Sequence, residues 1–275
     1  MRPSFSVVIP TYNDDDRLSL TLWGLTQQSF KDFEVIVVND GGEDETRRLI
    51  DVYSTKLNVV YRYLYPKSSD YRPSQARNLG IANASASRIL FIDCDTIPHR
   101  HLLAHHKKAY SSSYTSVGIR YHIMEEDVKE VLAALVNNTL SYELLNSLKL
   151  RGDDRIIRSE YRDRFYTLSA SCFDTSDYAS KVVHASFGHS CNICYPTNVI
   201  RSLNGFDIRY DNIWGGEDHD LAIRFLASGG KFVTLPSALV YHLDHRRRST
   251  DDKDKLRELL EQTRFKSKIE VLSDV

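Results

Sequence analysis

The chain has 275 residues, of which 41% are hydrophobic and 27% are charged, and its formal net charge is -1. This composition is typical of a globular protein with one large domain or two small ones. The small net charge gives no electrostatic support for nucleic-acid binding, and no apolar run approaches the roughly 20 residues that cross a bilayer.

The first hundred residues predict strands that alternate with helices. Near-continuous apolar runs, typical of buried strands, cover residues 5–9, 33–38, 59–65 and 88–92. Helical apolar spacing covers residues 14–28, 43–53 and 75–84. Buried strands separated by helices predict a parallel sheet that is covered on both faces. The first apolar run ends in proline and lacks the length and cleavage region of a signal peptide, so we expect a strand there.

The remaining residues predict a helical stretch, further strands and a final helix. Helical patterns run over residues 125–150 and 218–228, strands over 231–235 and 238–241, and an amphipathic helix over 252–271. Residues 151–164 are dense in charge and fit either a surface helix or a loop.

The four cysteines are too few to stabilise a chain of this size by disulfide bonds, so we expect reduced thiols in a cytosolic protein. Cys191 and Cys194 have a spacing that zinc and redox sites use, with His184 and His189 nearby. A second cysteine pair is missing, and the flanking residues look like a buried strand, which favours a strand over structural zinc.

Polar clusters follow three of the predicted strands: Thr11-Tyr12-Asn13, Asn39-Asp40-Gly41-Gly42 and Asp93-Cys94-Asp95. Ligands of parallel sheets bind beyond the carboxyl ends of the strands, so we expect the three clusters to face one crevice. In extended backbone, Asp93 and Asp95 would point the same way and would suit Mg²⁺ or Mn²⁺. A strand-end turn or a helix N-cap fits the same two residues.

Glycine-rich phosphate-binding loops are missing from the sequence, which disfavours classical dinucleotide binding and the loop of nucleotide hydrolases. Phosphate would then be bound by a metal and by arginines, for which Arg72, Arg77 and residues 246–248 are candidates. For at least one arginine of the last run, a solvated basic loop is the favoured interpretation. His242 and His245 could complete a metal shell, or one could pack in the core while the other is solvated.

The segment Trp214-Gly215-Gly216-Glu217-Asp218-His219-Asp220 places three carboxylates among four residues, directly after two glycines. Such crowding of like charge suits a carboxylate that takes a proton from a hydroxyl. A solvated helix start explains the acidic residues as well, because Asp and Glu favour the first helical turn. We assign Asp220 to that second role.

In their order, these motifs resemble glycosyltransferase family 2 and its relatives with the GT-A fold. The matching segments are residues 6–13, 33–41, 76–81 and 89–95. From Asn204 through Trp214–Asp218 to His242, the chain looks like a segment shared with galactosyl- and N-acetylgalactosaminyltransferases. The resemblance implies an α/β GT-A fold, with a Rossmann-like, mostly parallel sheet flanked by helices, a helical insertion and a C-terminal helix. It also implies one continuous domain, with a nucleotide-sugar-binding half (residues 1–110) and an acceptor-binding and catalytic half (residues 111–275).

The same resemblance implies roles for individual residues. A UDP-sugar donor (Gal, GalNAc, GlcNAc or Glc) would be bound by Pro10, Thr11, Tyr12, Asn13, Asp40, Arg72, Arg77 and Asp93. Mn²⁺ or Mg²⁺ would be bound by Asp95 and His242, the catalytic base would be Asp218, and the acceptor would meet Trp214, Gly216 and Glu217. Two residues depart from the family pattern, since Asn39 and His219 stand where carboxylates are usual.

The implied reaction is an inverting transfer. Asp218 would deprotonate an acceptor hydroxyl, which attacks the anomeric carbon opposite the leaving nucleoside diphosphate, whose charge the cation neutralises. The basic loop at residues 246–248 would close over the diphosphate after the donor binds.

Two other functions stay open from the sequence. A sugar-nucleotide hydrolase or nucleotidyltransferase could use a similar sheet, but the latter would want a glycine- and lysine-rich loop where the chain has residues 11–16. A non-catalytic nucleotide-sugar-binding module would not need Asp95, His242 and Asp218 together. The acceptor could be a glycan, a lipid-linked sugar, a peptide or a small metabolite. We expect a cytoplasmic protein without a nucleic-acid partner, and leave peripheral membrane contact open.

Overall fold

The computed structural model describes residues 2–42, 45–67, 70–109, 114–148, 150–152, 189–213, 215–245 and 253–267. The strands in these residues are β1 Phe5–Thr11, β2 Phe33–Asn39, β3 Val59–Tyr63, β4 Arg88–Phe91, β5 Thr96–Pro98, β6 Tyr114–Ile123, β7 Leu150–Gly152, β8 Ile193–Pro196 and β9 Lys231–Leu243. The helices are α1 Asp15–Thr26, α2 Glu45–Tyr53, α3 Pro73–Asn83, α4 Leu102–Lys108, α5 Glu125–Val136, α6 Tyr142–Ser147, α7 Thr197–Ser202, α8 Glu217–Ala227 and α9 Lys253–Ser267, with a short 3₁₀ turn at Ile208–Tyr210.

The first four strands form the parallel part of the sheet. β1 pairs in parallel with β2 and with β4, and β2 pairs in parallel with β3. Alternate side chains of β1 enter different clusters: Val7 packs in the cluster that contains Leu22 of α1, and Val8 packs in the cluster that contains Ala76 of α3. Because helices cover both faces of β1, β2 and β4, these three strands are buried and mostly apolar, as the sequence predicted, whereas β3 is only partly buried and includes exposed Arg62.

The rest of the sheet is mixed. Among the described residues the strand order is β3-β2-β1-β4-β8-β6-β9-β5, with β7 paired to β6. β8 is antiparallel to both β4 and β6, β6 is parallel to β9, and β5 is antiparallel to β9. One sheet therefore includes strands from both halves of the chain, and the division at residue 110 stays a prediction.

Several elements differ from the predicted ones. The helical pattern over residues 125–150 is two helices, α5 and α6, because Asn138 adopts a positive φ of 56° and the Ser141 hydroxyl caps α6 by accepting from Leu144 N at 3.2 Å. The two predicted strands after residue 230 are the single strand β9. β5 has three residues, too few for a periodic pattern, and was not predicted.

Helix α9 packs against α8 and against the 3₁₀ turn at Ile208–Tyr210. Tyr210, Ile213 and Leu259 form a small buried cluster, with Leu256 and Leu260 against it. Within the described residues, no helix is both long and apolar enough to span a bilayer.

Candidate active site

The carboxyl ends of β2, β1 and β4 lie side by side. Thr11 pairs with Asn39 across β1 and β2, and Ile92 N donates to Val8 O at 3.2 Å on the other side of β1. The predicted polar clusters therefore meet at one edge of the sheet. Pro10 and Tyr12 are half-buried there and Thr11 is buried, while Asn13 is exposed with a left-handed φ of 49°.

Asp40 is paired with Arg72 at this edge. Arg72 Nε donates to Asp40 Oδ1 at 2.8 Å, and Arg72 N donates to Oδ2 at 3.0 Å. Both residues are 6% exposed. Burial raises the pKa of Asp40 to about 6, against the lowering effect of the Arg72 hydrogen bonds and charge. A ligand at this edge would thus meet an Asp40–Arg72 unit, not a lone carboxylate.

The side-chain amide of Asn39 both accepts and donates a hydrogen bond within the protein. Its Oδ1 accepts from Gly42 N at 2.7 Å, and its Nδ2 donates to the Tyr61 hydroxyl at 3.1 Å. An aspartate could accept the first hydrogen bond but could not donate the second. The departure of Asn39 from the family pattern therefore fits its buried surroundings.

Arg77 contacts both the end of β4 and the acidic motif, which is the carboxylate-rich run at residues 217–220. Its Nη2 donates to Asp93 Oδ1 and its Nη1 donates to Glu217 Oε1, each at 3.0 Å, and the residue is 5% exposed. Burial lowers the pKa of Arg77, but Asp93, Asp218 and Glu217 outweigh that effect and raise the pKa above its ordinary value. Since buried carboxylates need a compensating cation, Arg77 allows this crowding of acidic groups.

Asp93-Cys94-Asp95 is a turn between β4 and β5, so the structure has the strand-end turn that the sequence left open and not extended backbone. Thr96 Oγ1 and Thr96 N donate to Asp93 O at 2.7 and 3.3 Å and close the turn. The two carboxylates consequently serve different partners: Asp93 contacts Arg77, whereas Asp95 contacts two histidines. Burial raises the pKa of Asp93. For Asp95, burial is outweighed by His242 and His245, which lower the pKa below its ordinary value.

Asp95, His242 and His245 form a candidate metal centre. Asp95 Oδ2 lies 3.1 Å from His245 Nε2 and 3.5 Å from His242 Nε2. The pairing of β5 with β9 creates this proximity, because Thr96 lies opposite His242 and Leu243 N donates to Asp95 O at 2.8 Å. The sequence left the role of His245 open, and the structure brings it to Asp95.

The chemistry of this centre fits a divalent transition metal. Its three ligand atoms lie within 4.8 Å of one another, and Asp95 Oδ1 and His242 Nδ1 are buried without a hydrogen-bond partner among the described residues. Two imidazoles and one carboxylate suit Mn²⁺ better than Mg²⁺, which prefers oxygen ligands. His122 and Asp244, whose Nδ1 and Oδ1 are 3.1 Å apart, form a second group around His242.

Asp218 is held by Ser190, with His189 beside it, in the segment that leads into β8. The Ser190 hydroxyl donates a short hydrogen bond to Asp218 Oδ1, and Ser190 N donates to Oδ2 at 3.1 Å. His189 Nδ1 lies 3.8 Å from Oδ2. Burial raises the pKa of Asp218, but His189, Arg77 and Ser190 together hold the pKa well below its usual range. Asp218 is therefore ionised at neutral pH, and no pattern in the sequence links His189 or Ser190 to it.

Glu217 and Gly216 stand at the start of α8. Glu217 is 3% exposed and pairs with Arg77, while its Oε2 is buried without a partner among the described residues. Burial and the neighbouring Asp218 raise the pKa of Glu217 to about 8. Gly216 adopts a φ of 98°. Contact of these residues with an acceptor stays a prediction, and Trp214 and residues 246–248 lie outside the described residues.

Asp220 lies in the first turn of α8, as predicted, but it is buried, so the interpretation as a solvated charge is wrong. It is 1% exposed, accepts from Arg224 Nε at 2.8 Å and accepts from the Thr263 hydroxyl at 2.6 Å. Asp220 thus ties α8 to α9. The neighbouring His219 ring lies 5.3 Å from the His189 ring, measured between centroids.

The described cysteines are free thiols. Both Cys191 and Cys194 are buried, and Cys194 lies within β8, as the strand interpretation predicted, while Cys191 lies two residues before that strand. The groups of three candidate metal ligands found in the described part of the chain include neither residue.

Comparison with known proteins gives matches along most of the chain. Residues 6–166 match the sequence profile of glycosyl transferase family 2, and residues 175–246 match that of the N-terminal domain of galactosyltransferase. Hyaluronan synthase of Pasteurella multocida is 27% identical over 245 residues, covering 86% of this chain and 24% of the relative. Validoxylamine A glucosyltransferase of Streptomyces hygroscopicus subsp. limoneus is 29% identical over 235 residues, covering 82% and 49%. The chain thus spans about a quarter to a half of these relatives.

Solved structures show the same fold. The structure of S. aureus TarS 1-349 in complex with UDP-GlcNAc has a TM-score of 0.65 and 17% identity, and the match covers 98% of this chain and 68% of that one. The structure of GalNAc-T7 with UDP, GalNAc and Mn²⁺ has a TM-score of 0.64 and 13% identity, covering 96% and 48%. These similarities show that the fold is GT-A, as the motifs implied.

Proposed function

Since the chain belongs to glycosyl transferase family 2, we propose that it transfers a sugar from a UDP-sugar to an acceptor hydroxyl, with inversion and with a divalent cation. Gal, GalNAc, GlcNAc and Glc are the candidate sugars. The UDP-GlcNAc complex of TarS supports a donor of this chemical class.

The observation that carries this proposal is the cluster around Arg77. Arg77 contacts Asp93, at the edge where a donor is expected, and Glu217, which is next to Asp218 in the acidic motif. Residues far apart in the chain are thereby held in one charged unit. A module that only binds nucleotide sugars would have no need to bury an ionised Asp218 beside such a unit.

Asp218 is the proposed proton acceptor. It is ionised, its two oxygens are oriented by Ser190, and each carboxylate oxygen retains a lone pair for an acceptor hydroxyl. As the acceptor oxygen attacks the anomeric carbon, the proton passes to the carboxylate and the sugar–phosphate bond breaks on the opposite side.

Asp40, Arg72 and the residues of the β1 edge would bind the nucleoside, and Asp95, His242 and His245 would hold the cation. When bound there, Mn²⁺ or Mg²⁺ supplies positive charge to the leaving diphosphate. The two imidazoles favour Mn²⁺ in this proposal.

The test is to supply the protein with each of the four UDP-sugars and Mn²⁺, and to measure UDP release with and without a panel of acceptors. Release that needs an acceptor supports transfer, whereas stoichiometric release without acceptor indicates a hydrolase. Binding of UDP without release under any condition would indicate a non-catalytic module and would refute the proposal.

Asp218→Asn is expected to lower the transfer rate by about 10²–10⁴-fold while UDP and Mn²⁺ affinities persist, because a general base contributes that much. Asp51→Asn is the matched control, since Asp51 is an exposed aspartate on α2, remote from this cluster. Near-normal transfer by the Asp218 variant would refute the base assignment.

A further inference from the structure

Asp218 needs a route by which its proton can leave. Its side chain is 16% exposed, and each of its two oxygens already accepts a hydrogen bond from Ser190. A base in such surroundings must return the proton to solvent before the next turnover. Of the two residues that contact it in the described part of the chain, the Ser190 hydroxyl does not titrate in the ordinary pH range.

His189 lies next to Asp218 and is partly exposed to solvent. Its Nδ1 is 3.8 Å from Asp218 Oδ2, and its side chain is 23% exposed, more than that of Asp218. A movement of about 1 Å would bring the two atoms to hydrogen-bond distance. Imidazole is also the side chain that exchanges protons most readily near neutral pH.

We propose that His189 is the proton outlet of Asp218, and that Ser190 is the residue that orients the carboxylate towards it. His189 acts through Asp218, so it is a positioning and relay residue without direct contact with the reacting atoms. This proposal rests on the proposed glycosyl transfer.

The acceptor oxygen forms a bond to the anomeric carbon, the bond from that carbon to the diphosphate oxygen breaks, and the acceptor proton moves to Asp218. The protonated carboxyl then gives this proton to Nδ1 of His189, which can accept it whenever that nitrogen carries no proton of its own. The resulting imidazolium releases a proton to water, and both side chains return to their starting charges.

Chemical rescue distinguishes this role from a structural one. His189→Ala is expected to lower kcat by about a hundredfold at saturating donor, at the lower end of the 10²–10⁴-fold range of proton-transfer effects, with UDP affinity unchanged. Added imidazole should restore turnover in a saturable manner by occupying the vacated space. Ser190→Ala should also lose turnover, but imidazole should not restore it, because the lost group orients Asp218. His101→Ala, at an exposed histidine next to α4, is the matched control and should behave as the unaltered protein.

The outcomes separate the two proposals. If the unaltered protein transfers no sugar, the proposed function fails. If it transfers sugar and His189→Ala retains full turnover, or loses turnover without rescue while its melting temperature and UDP binding are normal, the relay is refuted. Should His189→Ala fail to fold, His189→Gln keeps the bulk of the side chain. That variant is expected to lose turnover with normal UDP affinity, and full turnover in it would equally refute the relay.

Discussion

The two glycines before α8 provide a paired test of how the acidic motif is held. Gly215 and Gly216 have φ values of 85° and 98°, so alanine at either position would adopt a left-handed conformation. That conformation costs about 1–2 kcal/mol for a residue with a Cβ. The space around the two positions differs, however. Among the described residues, a Cβ at Gly215 meets nothing within 4 Å, whereas a Cβ at Gly216 would clash with Leu256 and lie 3.0 Å from the buried ring of Tyr210.

Gly216→Ala therefore adds overpacking, about 1–3 kcal/mol, to the backbone cost. We expect Gly215→Ala to lower the free energy of unfolding by about 1–2 kcal/mol and Gly216→Ala by about 2–5 kcal/mol. Urea unfolding measures the free energy of unfolding of each variant, provided that both variants have the same m-value. Asp218 follows Gly216 by two residues, so a shift at Gly216 would also displace Asp218. Gly216→Ala should therefore lower the rate of sugar transfer on the order of a hundredfold, whereas the rate of Gly215→Ala should stay closer to that of the unaltered protein.

Equal losses of stability in the two variants would refute the packing argument, since only the backbone cost would then operate. A second check is Gly216→Ala combined with Leu256→Ala. If Leu256 is part of the clash, the double variant should be more stable than the sum of the single effects predicts.

Three further predictions concern the protonation of Glu217, the hydrogen bond between Thr263 and Asp220, and metal binding by His245. Burial raises the pKa of Glu217 from its ordinary value of 4.5 to about 8, so the stability that its bound proton contributes is complete below pH 4.5 and is lost as pH rises to about 8. Urea unfolding at pH 5 and pH 8 should show a smaller pH-dependent loss for Glu217→Gln, and an unchanged loss would contradict the assignment. Thr263→Val removes the hydroxyl that donates to buried Asp220, and it should lower the free energy of unfolding by about 1–3 kcal/mol. Thermal or urea unfolding measures this loss. An unaltered unfolding midpoint would mean that the hydrogen bond does not stabilise the protein. His245→Gln should weaken Mn²⁺ binding by roughly tenfold or more in calorimetry, and unchanged affinity would remove His245 from the metal centre.

The parallel part of the sheet could be predicted from local pattern. β1, β2 and β4 are buried on both faces, so their residues are apolar without alternation, and the polar residues that follow mark the strand ends. Since parallel strands place those ends at one edge, the proximity of Thr11, Asp40 and Asp93 followed from the sequence alone.

The partners of the acidic residues could not be predicted in this way. Asp95 meets His242 because the three-residue strand β5 pairs with β9, and a strand so short leaves no periodic pattern. Ser190 reaches Asp218 across 28 residues, and Thr263 reaches Asp220 across 43. Neither separation matches the period of a helix or a strand.

The sequence by itself determined the family, the fold class and the edge of the sheet at which a ligand is expected, because these depend on apolar periodicity and on motifs contiguous in the chain. Tertiary structure alone decided which carboxylate meets which partner. Asp93 and Glu217 share Arg77, Asp95 faces two histidines, Asp218 is held by Ser190 beside His189, and Asp220 is buried under α9. The physical reason is that burial and counter-charge set the behaviour of a carboxylate, and both come from elements distant in the sequence.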